Sequence, residues 1–154
     1  MNELIKIVIP GNAITKKNSK KTSMFTKTKT GRIVPLKRPI TYYSKQYNEW
    51  SKAAVQACAI ARNNHREIIF PITARIILRC LFFFDKNIRV DLSNLYEGVQ
   101  DVITGSCSSV NVPKVLYQIL EDDSVRFILG HDGSRFLLDQ INPRTEVYLI
   151  PFKL

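Results

Sequence analysis

The chain has 154 residues, of which 45% are hydrophobic, and it carries a formal net charge of +10. This length suits one ordinary domain, and the apolar content supports a real core, which argues against a disordered chain. The three cysteines are odd in number and lack a CxxC spacing, so a disulfide framework and a zinc site are both disfavoured.

The first third of the chain combines one strand with a long basic segment. Residues 4–9 (LIKIVI) predict a strand that stops at Pro10 and Gly11. Residues 10–40 are polar and basic, show no helical period, and predict a basic loop or arm. Within it, residues 28–31 predict a short hairpin turn.

The excess positive charge lies entirely in this first third. Residues 1–45 contain 11 Lys and Arg against one acidic residue, whereas residues 46–154 contain 12 of each sign. Concentrated positive charge indicates a polyanionic partner, because each neutralised phosphate releases condensed counterions. An anionic membrane surface is the competing partner, but it usually requires an amphipathic helix or a lipid anchor, and neither is evident.

The middle of the chain alternates helix and strand. Aromatic and alanine residues at three- and four-residue steps predict a helix over residues 42–63, with Tyr47 and Trp50 packed against a sheet. Residues 72–84 are β-branched and aromatic and predict a buried strand. A second helix is predicted over residues 91–104 and ends at Gly105.

The last third predicts short strands and turns. Residues 105–114 predict a loop, and residues 115–120 and 124–129 predict two strands that flank an acidic turn at 121–123. Asp132 and Gly133 are a turn signal, and residues 145–152 predict a final strand. This order predicts an α/β or α+β single domain, 1–154, with a mixed β-sheet packed against two main helices.

Targeting signals are not evident. The N-terminus lacks the hydrophobic region of a signal peptide. The most apolar stretch, residues 76–84, contains Arg79 and is too short to span a bilayer. We therefore expect a soluble, cytoplasmic protein with reduced thiols and no membrane partner.

The second predicted helix carries an acidic face. Asp91, Asn94, Glu97 and Asp101 share one side at 3.6 residues per turn, and no Lys or Arg follows Arg89 in this helix. Oxygen ligands of this kind favour Mg²⁺, with Mn²⁺ as the alternative. Spacing alone favours a different interpretation, in which Asp91 caps the helix and the other acids are solvated. Acids in the 121–123 turn are also common, and they gain weight only if they fold back onto the helix face.

The order of these motifs resembles the RusA family of Holliday-junction resolvases. The matching strings are Arg89-Val90-Asp91-Leu92-Ser93-Asn94-Leu95, then Asp101, then Glu121-Asp122-Asp123-Ser124. Ile9-Pro10-Gly11 followed by Lys16-Lys17-Asn18 is similar to the family's first strand and basic loop. The hairpin His131-Asp132-Gly133-Ser134-Arg135 is similar to relatives from Gram-positive bacteria and phages.

The resemblance implies a homodimeric, Mg²⁺-dependent endonuclease that hydrolyses phosphodiester bonds in four-way DNA junctions during recombination and repair. Asp91, Glu97, Asp101 and Asp123 are then the candidate catalytic residues, and the candidate metal ligands are Asp91, Asp101, Asp122 and Asp123. Two positions depart from the family. Ser93 replaces a second Asp, and Glu97 replaces a Lys that assists catalysis, so Glu97 is the candidate to supply the missing ligand or to orient water. The candidate replacement cations are Lys16, Lys17, Lys86 and Lys114.

The basic segment supplies the candidate DNA contacts. Phe25, set among polar and basic residues, is the candidate to wedge into an opened junction. The full set is Lys16, Lys17, Lys20, Lys21, Phe25, Lys27, Lys29 and Arg32. Two alternatives stay open. One is a non-catalytic DNA- or RNA-binding module with structural acids, and the other is an RNA-associated basic protein with a mobile arm.

Overall fold

A computed structural model describes residues 4–152 of the chain. In chain order the elements are β1 (Ile5–Pro10), α1 (Lys16–Ser19), β2 (Lys20–Lys27), β3 (Ile33–Tyr43), α2 (Lys45–Asn64), β4 (Ile76–Phe84), α3 (Leu92–Ile103), a 3₁₀ turn (Lys114–Leu116), β5 (Ile128–Gly130), β6 (Arg135–Leu138) and β7 (Arg144–Pro151).

The main sheet has five strands and mixed direction. β7 lies between β1 and β4 and pairs antiparallel with both, while β5 and β6 pair parallel with β4. α2 and α3 are the two main helices, and α2 contacts both β1 and α3. The predicted fold class, a mixed sheet packed against two main helices, is confirmed.

Alternating burial explains why the strands form a sheet with one core face. β1 buries Ile5, Ile7 and Ile9, and β4 buries every second residue from Ile76 to Phe84. Successive side chains of a strand point to opposite faces, so these residues share one face. Tyr47 and Trp50 of α2 are 2% and 5% exposed, which confirms that they belong to the core.

The basic segment is more ordered than a loop. α1 and the two strands β2 and β3 occupy most of residues 10–40, and β2 and β3 form a separate two-stranded sheet. The predicted hairpin turn is confirmed, since Lys27 pairs with Ile33 across it. β3 continues to Tyr43, so α2 begins at Lys45 rather than at residue 42, and Ser44 Oγ accepts a hydrogen bond from the Tyr47 N–H, as a helix cap does.

Three predicted strands have wrong bounds or are wrong. Residues 115–120 do not form a strand, because the N–H groups of Ile119 and Leu120 donate to the Ile103 carbonyl and close the end of α3. Residues 124–127 form a turn in which the Ser124 carbonyl accepts from Phe127, so β5 begins only at Ile128. The strand predicted over 72–84 begins at Ile76, after an isolated bridge between Ile72 and Leu120.

Glu146 is the centre of a polar network on the sheet face opposite the core. It accepts hydrogen bonds from Arg144, at 2.7 Å, and from the Tyr148 hydroxyl, and the Lys6 ammonium lies 3.0 Å away. Burial alone would raise the pKa of Glu146, but the hydrogen bonds from Tyr148, Arg144 and Lys6 outweigh it and hold the pKa at about 2. Arg144 also pairs with Asp139 at 2.7 Å.

Within residues 4–152, no helix combines the length and the hydrophobicity that crossing a membrane requires.

We predict that Glu146→Gln destabilises the fold in a pH-dependent way. The pKa of Glu146 is lower in the folded chain, about 2, than its ordinary value of 4.5, so its stabilisation is complete above pH 4.5 and is lost as the pH falls towards 2. At pH 7 the free energy of unfolding should fall by roughly 3 kcal/mol. Urea denaturation at several pH values measures this difference, which should shrink below pH 4.5. Glu121→Gln, at an exposed acid, is the control, and a difference that stays constant with pH would contradict the assignment.

Candidate functional site

α3 packs closely against α2 because one residue of its buried face is a glycine. Gly98 is buried, and a Cβ atom at this position would lie 3.4 Å from the Trp50 ring and 3.5 Å from the Ile14 carbonyl oxygen. Any side chain beyond a methyl group would push α3 away from α2. Leu95, Val99, Val102 and Ile103 complete the buried face, and so the acidic face turns outward.

Asp101, which is only partly exposed, forms an ion pair with Lys16. The Lys16 ammonium donates to Asp101 Oδ2, and the two side chains are 24% and 18% exposed. Burial alone would lower the pKa of Lys16, but the hydrogen bond and charge of Asp101 raise it, with smaller contributions from Tyr43 and Glu97. The ammonium therefore lies within the field of two α3 carboxylates. Of the four candidate lysines, Lys16 pairs with Asp101, and the Lys114 side chain lies against Gly105, just beyond the end of α3.

The acidic turn reaches the same end of α3. Residues 117–120 are buried where the Ile119 and Leu120 N–H groups meet the helix end, so the 121–123 turn follows directly. Partial desolvation raises the pKa of the exposed Asp123, and the neighbouring charges of Asp122 and Asp101 raise it further. The nearby Ser124 hydroxyl and the hydrogen bond from the Asp123 N–H lower the pKa of Asp122. The acidic turn therefore lies at the same end of α3 as Asp101.

Asp91 lies elsewhere on the helix. It is the N-cap of α3, it is exposed, and its carboxylate accepts from Asn94 Nδ2 at 3.4 Å. At about 1.5 Å per residue, Asp91 and Asp101 are separated by about 15 Å along the helix. They cannot share one ion in this arrangement. Glu97, which is also exposed, lies one turn from Asp101.

The carboxylates near the end of α3 are the residues that could contribute to a metal site. In residues 4–152, no three His, Cys, Asp or Glu side chains are arranged as a metal-binding group. Mg²⁺, however, is usually held by one or two carboxylates together with water and substrate phosphates, rather than by an all-protein cage. Asp101 and Asp123 provide two such oxygen donors, and their like charges are more easily held together with a cation between them.

The β2–β3 hairpin, residues 20–43, is a long exposed projection that we call the arm. It includes seven Lys and Arg and no acid, and neither strand contains a buried residue. Phe25 and Ile33 are 59% and 62% exposed and lie on one face of the distal part. The register shifts between Ser23 and Phe25, opposite Lys37 and Arg38. All predicted DNA contacts except Lys16 and Lys17 lie on this arm.

The arm is anchored at a closed base. The Ser44 N–H donates to the Ser19 carbonyl at 2.7 Å, so the chain leaves α1 and returns to α2 at one point. Ser19 is buried, and its hydroxyl donates to the Thr15 carbonyl at 2.7 Å. Beside this base lies a groove of about 420 Å³, whose polar lining includes Asn18, Lys21 and Arg89. The groove connects the arm with the residues that precede α3.

One contact of α3 was not predicted from the sequence. The His131 ring packs on Tyr96 with ring centres 4.4 Å apart, and its Nε2 lies 3.3 Å from the Gln100 amide. Burial lowers the pKa of His131, which favours the neutral ring. The Asp132–Gly133 turn signal located this hairpin but not the helix on which it packs.

Comparison with protein-family models finds no match to this sequence. A search of curated proteins finds no relative of significant similarity.

We predict that trypsin cuts the arm before it cuts the rest of the described chain, residues 4–19 and 44–152, which we call the body. Lys27, Lys29 and Arg32 are exposed at the arm's turn, whereas Arg38 precedes Pro39 and should resist cleavage. Time-resolved mass spectrometry should show first cuts after residues 27, 29 or 32, with the body intact. Replacing these three residues by Gln should delay the first cut. Initial cleavage in the body, for example after Arg66 or Arg126, would contradict an arm held away from the core.

Proposed function

We propose that this protein is a divalent-metal-dependent endonuclease that cuts branched DNA, in the manner of the RusA-type junction resolvases that its sequence resembles. The observation that carries the proposal is the ion pair between Lys16 and Asp101. It joins the base of a strongly basic arm to the carboxylate-bearing end of α3. Under this proposal, the surface that would bind DNA and the surface that would hydrolyse it meet at one place.

The arm supports binding to a nucleic acid. Its seven cations and lack of acids match a phosphate backbone, which supplies most of the non-specific affinity for DNA. A two-stranded ribbon is narrow enough to enter the major groove of B-form DNA. Phe25 lies exposed beside Lys27, and an apolar side chain in such a setting can wedge between unstacked bases at a branch.

The groove at the base of the arm is consistent with a DNA strand that runs from the arm towards α3. Lys21 and Arg89 bring positive charge to its lining, and Asn18 adds an amide that can bind a phosphate oxygen. Arg89 precedes the start of α3 by three residues. A strand held by the arm would thus be led along α3 towards Asp101.

The carboxylates give the proposed chemistry. Asp101 and Asp123 would hold the metal ion, and Asp122 would keep Asp123 in place through the turn. When bound, Mg²⁺ supplies an activated water and neutralises charge on the leaving 3′-oxygen. Glu97, one turn from Asp101, would orient that water. Asp91, remote from the pair, would act at the entrance of the site or as a helix cap only.

Two copies of the chain would act together. A four-way junction is resolved by two symmetric cuts, and a homodimer with twofold symmetry supplies two matching sites. The dimer is proposed on this ground and on the resemblance.

A non-catalytic protein that binds branched nucleic acid is the second candidate. It is favoured by the ion pair itself, because Lys16 already neutralises Asp101, and by the separation of Asp91 from the other acids. In that case the acids of α3 serve to anchor the arm. The two candidates differ in cleavage and share tight binding to a junction.

We predict that the protein nicks a synthetic four-way junction in the presence of Mg²⁺ and leaves a linear duplex of the same sequence intact. Asp101→Asn and Asp123→Asn should each lower the single-turnover cleavage rate by about 10²-fold or more, since each removes a proposed ligand of the ion. Glu121→Gln removes the same charge from the same turn and should cleave normally. Tight junction binding by the unaltered chain without any cleavage would favour the second candidate.

We predict that the arm sets the salt dependence of DNA binding. Replacing Lys27, Lys29 and Arg32 by Gln should make the slope of log affinity against log salt shallower by about 0.9 for each phosphate that is no longer neutralised, or about 3 in all. Fluorescence anisotropy over a range of salt concentrations measures this slope. The matched control replaces three exposed cations of the body, Lys52, Arg66 and Arg126, by Gln. Equal changes in both triple variants would indicate that net charge matters and that the arm does not.

A further inference from the structure

β1 is an edge strand of the main sheet. It pairs with β7 on one side, whereas the opposite edge of the sheet consists of β5 and β6, which have three and four residues. Very short edge strands limit pairing with another chain, but β1 has six residues. In the part of the chain that the structure describes, β1 is therefore the longest strand at an edge of this sheet.

The register with β7 determines which main-chain groups of β1 face outward. The Gly11 N–H donates to the Pro143 carbonyl, and hydrogen-bonded pairs of an antiparallel ladder recur at every second residue. The odd-numbered residues of β1 therefore bond to β7, and the N–H and C=O groups of Lys6 and Val8 point away from it. Among the described residues, these outward groups have no hydrogen-bond partner.

An apolar groove runs beside this edge. It has a volume of about 440 Å³ and lies between β1 and α2. Ile7 and Val8 line it from the strand, and Ala53, Ala57 and Ile60 line it from the helix. Val8 and Ile60 are 46% and 51% exposed. The groove can thus accept apolar side chains from a partner whose strand pairs with β1.

The charge of this surface suits a second copy of the chain. The chain as a whole carries +10, yet Lys6 alone is charged among the described residues that line the groove, and its ammonium lies 3.0 Å from the Glu146 carboxylate. Two copies can therefore approach here without the repulsion that their arms would cause. The cores of protein interfaces are depleted of charged residues in the same way.

β1 is also complementary to itself. In an antiparallel pair of two β1 strands centred on Ile7, Lys6 of each copy faces Val8 of the other, and the outward groups of both residues bond to each other. A shift of the register in one direction places the two Lys6 residues opposite each other. A shift in the other direction places Lys6 opposite Pro10, which has no N–H to donate. The register centred on Ile7 is thus favoured.

We propose that two copies of the chain pair through the outer edge of β1, so that their main sheets join into one continuous sheet and their α2 helices pack side by side. The inference rests on the proposed function, which calls for a homodimer, and it assigns a surface to that homodimer. Twofold pairing occupies the β1 edge of both copies, so the assembly closes at two chains.

Sedimentation equilibrium, without DNA, tests this surface. The unaltered chain should dimerise, and Val8→Pro should weaken the dimer by about tenfold or more, because two hydrogen bonds between the copies are lost. The N–H that this variant removes is not bonded within the chain, and proline is tolerated at such positions of edge strands. Val8→Thr keeps the N–H and the β-branched shape and should dimerise as the unaltered chain does.

A variant on the helix side of the groove covers the case in which Val8→Pro does not fold. Ile60→Glu introduces a charge at an exposed position of α2 and should also weaken the dimer by about tenfold or more, because like charges of the two copies are brought together. Its matched control is Val125→Glu. Val125 is 82% exposed and lies close to β5, at the opposite edge of the sheet, so the dimer should be unchanged.

Cross-linking tests the register of the two strands. The three native cysteines are buried, so Val8→Cys introduces the one exposed thiol of the chain. The two copies of this residue should lie about 8 Å apart, given strands about 4.8 Å apart and an offset of two residues at about 3.4 Å each. A bis-maleimide of that span should therefore give a covalent dimer, and Val125→Cys should give none.

The outcomes separate this inference from the nuclease proposal. A chain that stays monomeric would overturn the β1 surface, and so would a dimer that both Val8→Pro and Ile60→Glu leave unchanged, or equal cross-linking of the two cysteine variants. Failure of a dimeric chain to nick a four-way junction would overturn the nuclease proposal. It would leave the β1 dimer standing, because neither sedimentation nor cross-linking involves DNA or cleavage.

Discussion

The close approach of α3 to α2 at Gly98 determines where the candidate site can be. The Trp50 ring fills the space that a larger side chain would need, and the Ile14 carbonyl oxygen lies at a similar distance. The segment that leads into α1 is therefore packed on the same glycine that sets the depth of α3. Because both segments are held at one point, Lys16 and Asp101 can meet although 85 positions separate them in the chain. The arm, the ion pair and the acidic end of the helix all depend on this packing.

The arm concentrates positive charge and has almost no hydrophobic core of its own. An isolated two-stranded hairpin is marginally stable in water. Here its base is closed by the hydrogen bond between Ser44 and Ser19, and Ser44 also caps α2. The body thus stabilises the arm at its base while leaving the cations further out exposed. Repulsion among those cations favours a counterion or a polyanion, whereas the charges of residues 46–154 balance and create no such demand.

Hydrophobic periodicity predicted the parts of the fold that bury one face. The β-branched and aromatic run in β4 and the three- and four-residue steps in α2 located both elements, and Gly105 marked the end of α3, where its φ is +75°. Periodicity failed for residues 115–120, since four of them are buried in succession and their N–H groups serve the end of α3. The acidic face of α3 was equally visible in the sequence. Its partner Lys16 was one of several candidate cations, because only tertiary packing chooses among lysines on separate elements.

The C-terminal end of α3 obtains its positive charge from outside the helix. α3 contains no Lys or Arg, and Glu97 and Asp101 lie one turn apart on it. The ammonium of Lys16 supplies one positive charge at Asp101. Because α1 leads directly into β2, this ion pair also ties the base of the arm to α3. The charge balance at the helix end and the attachment of the arm therefore depend on the same contact.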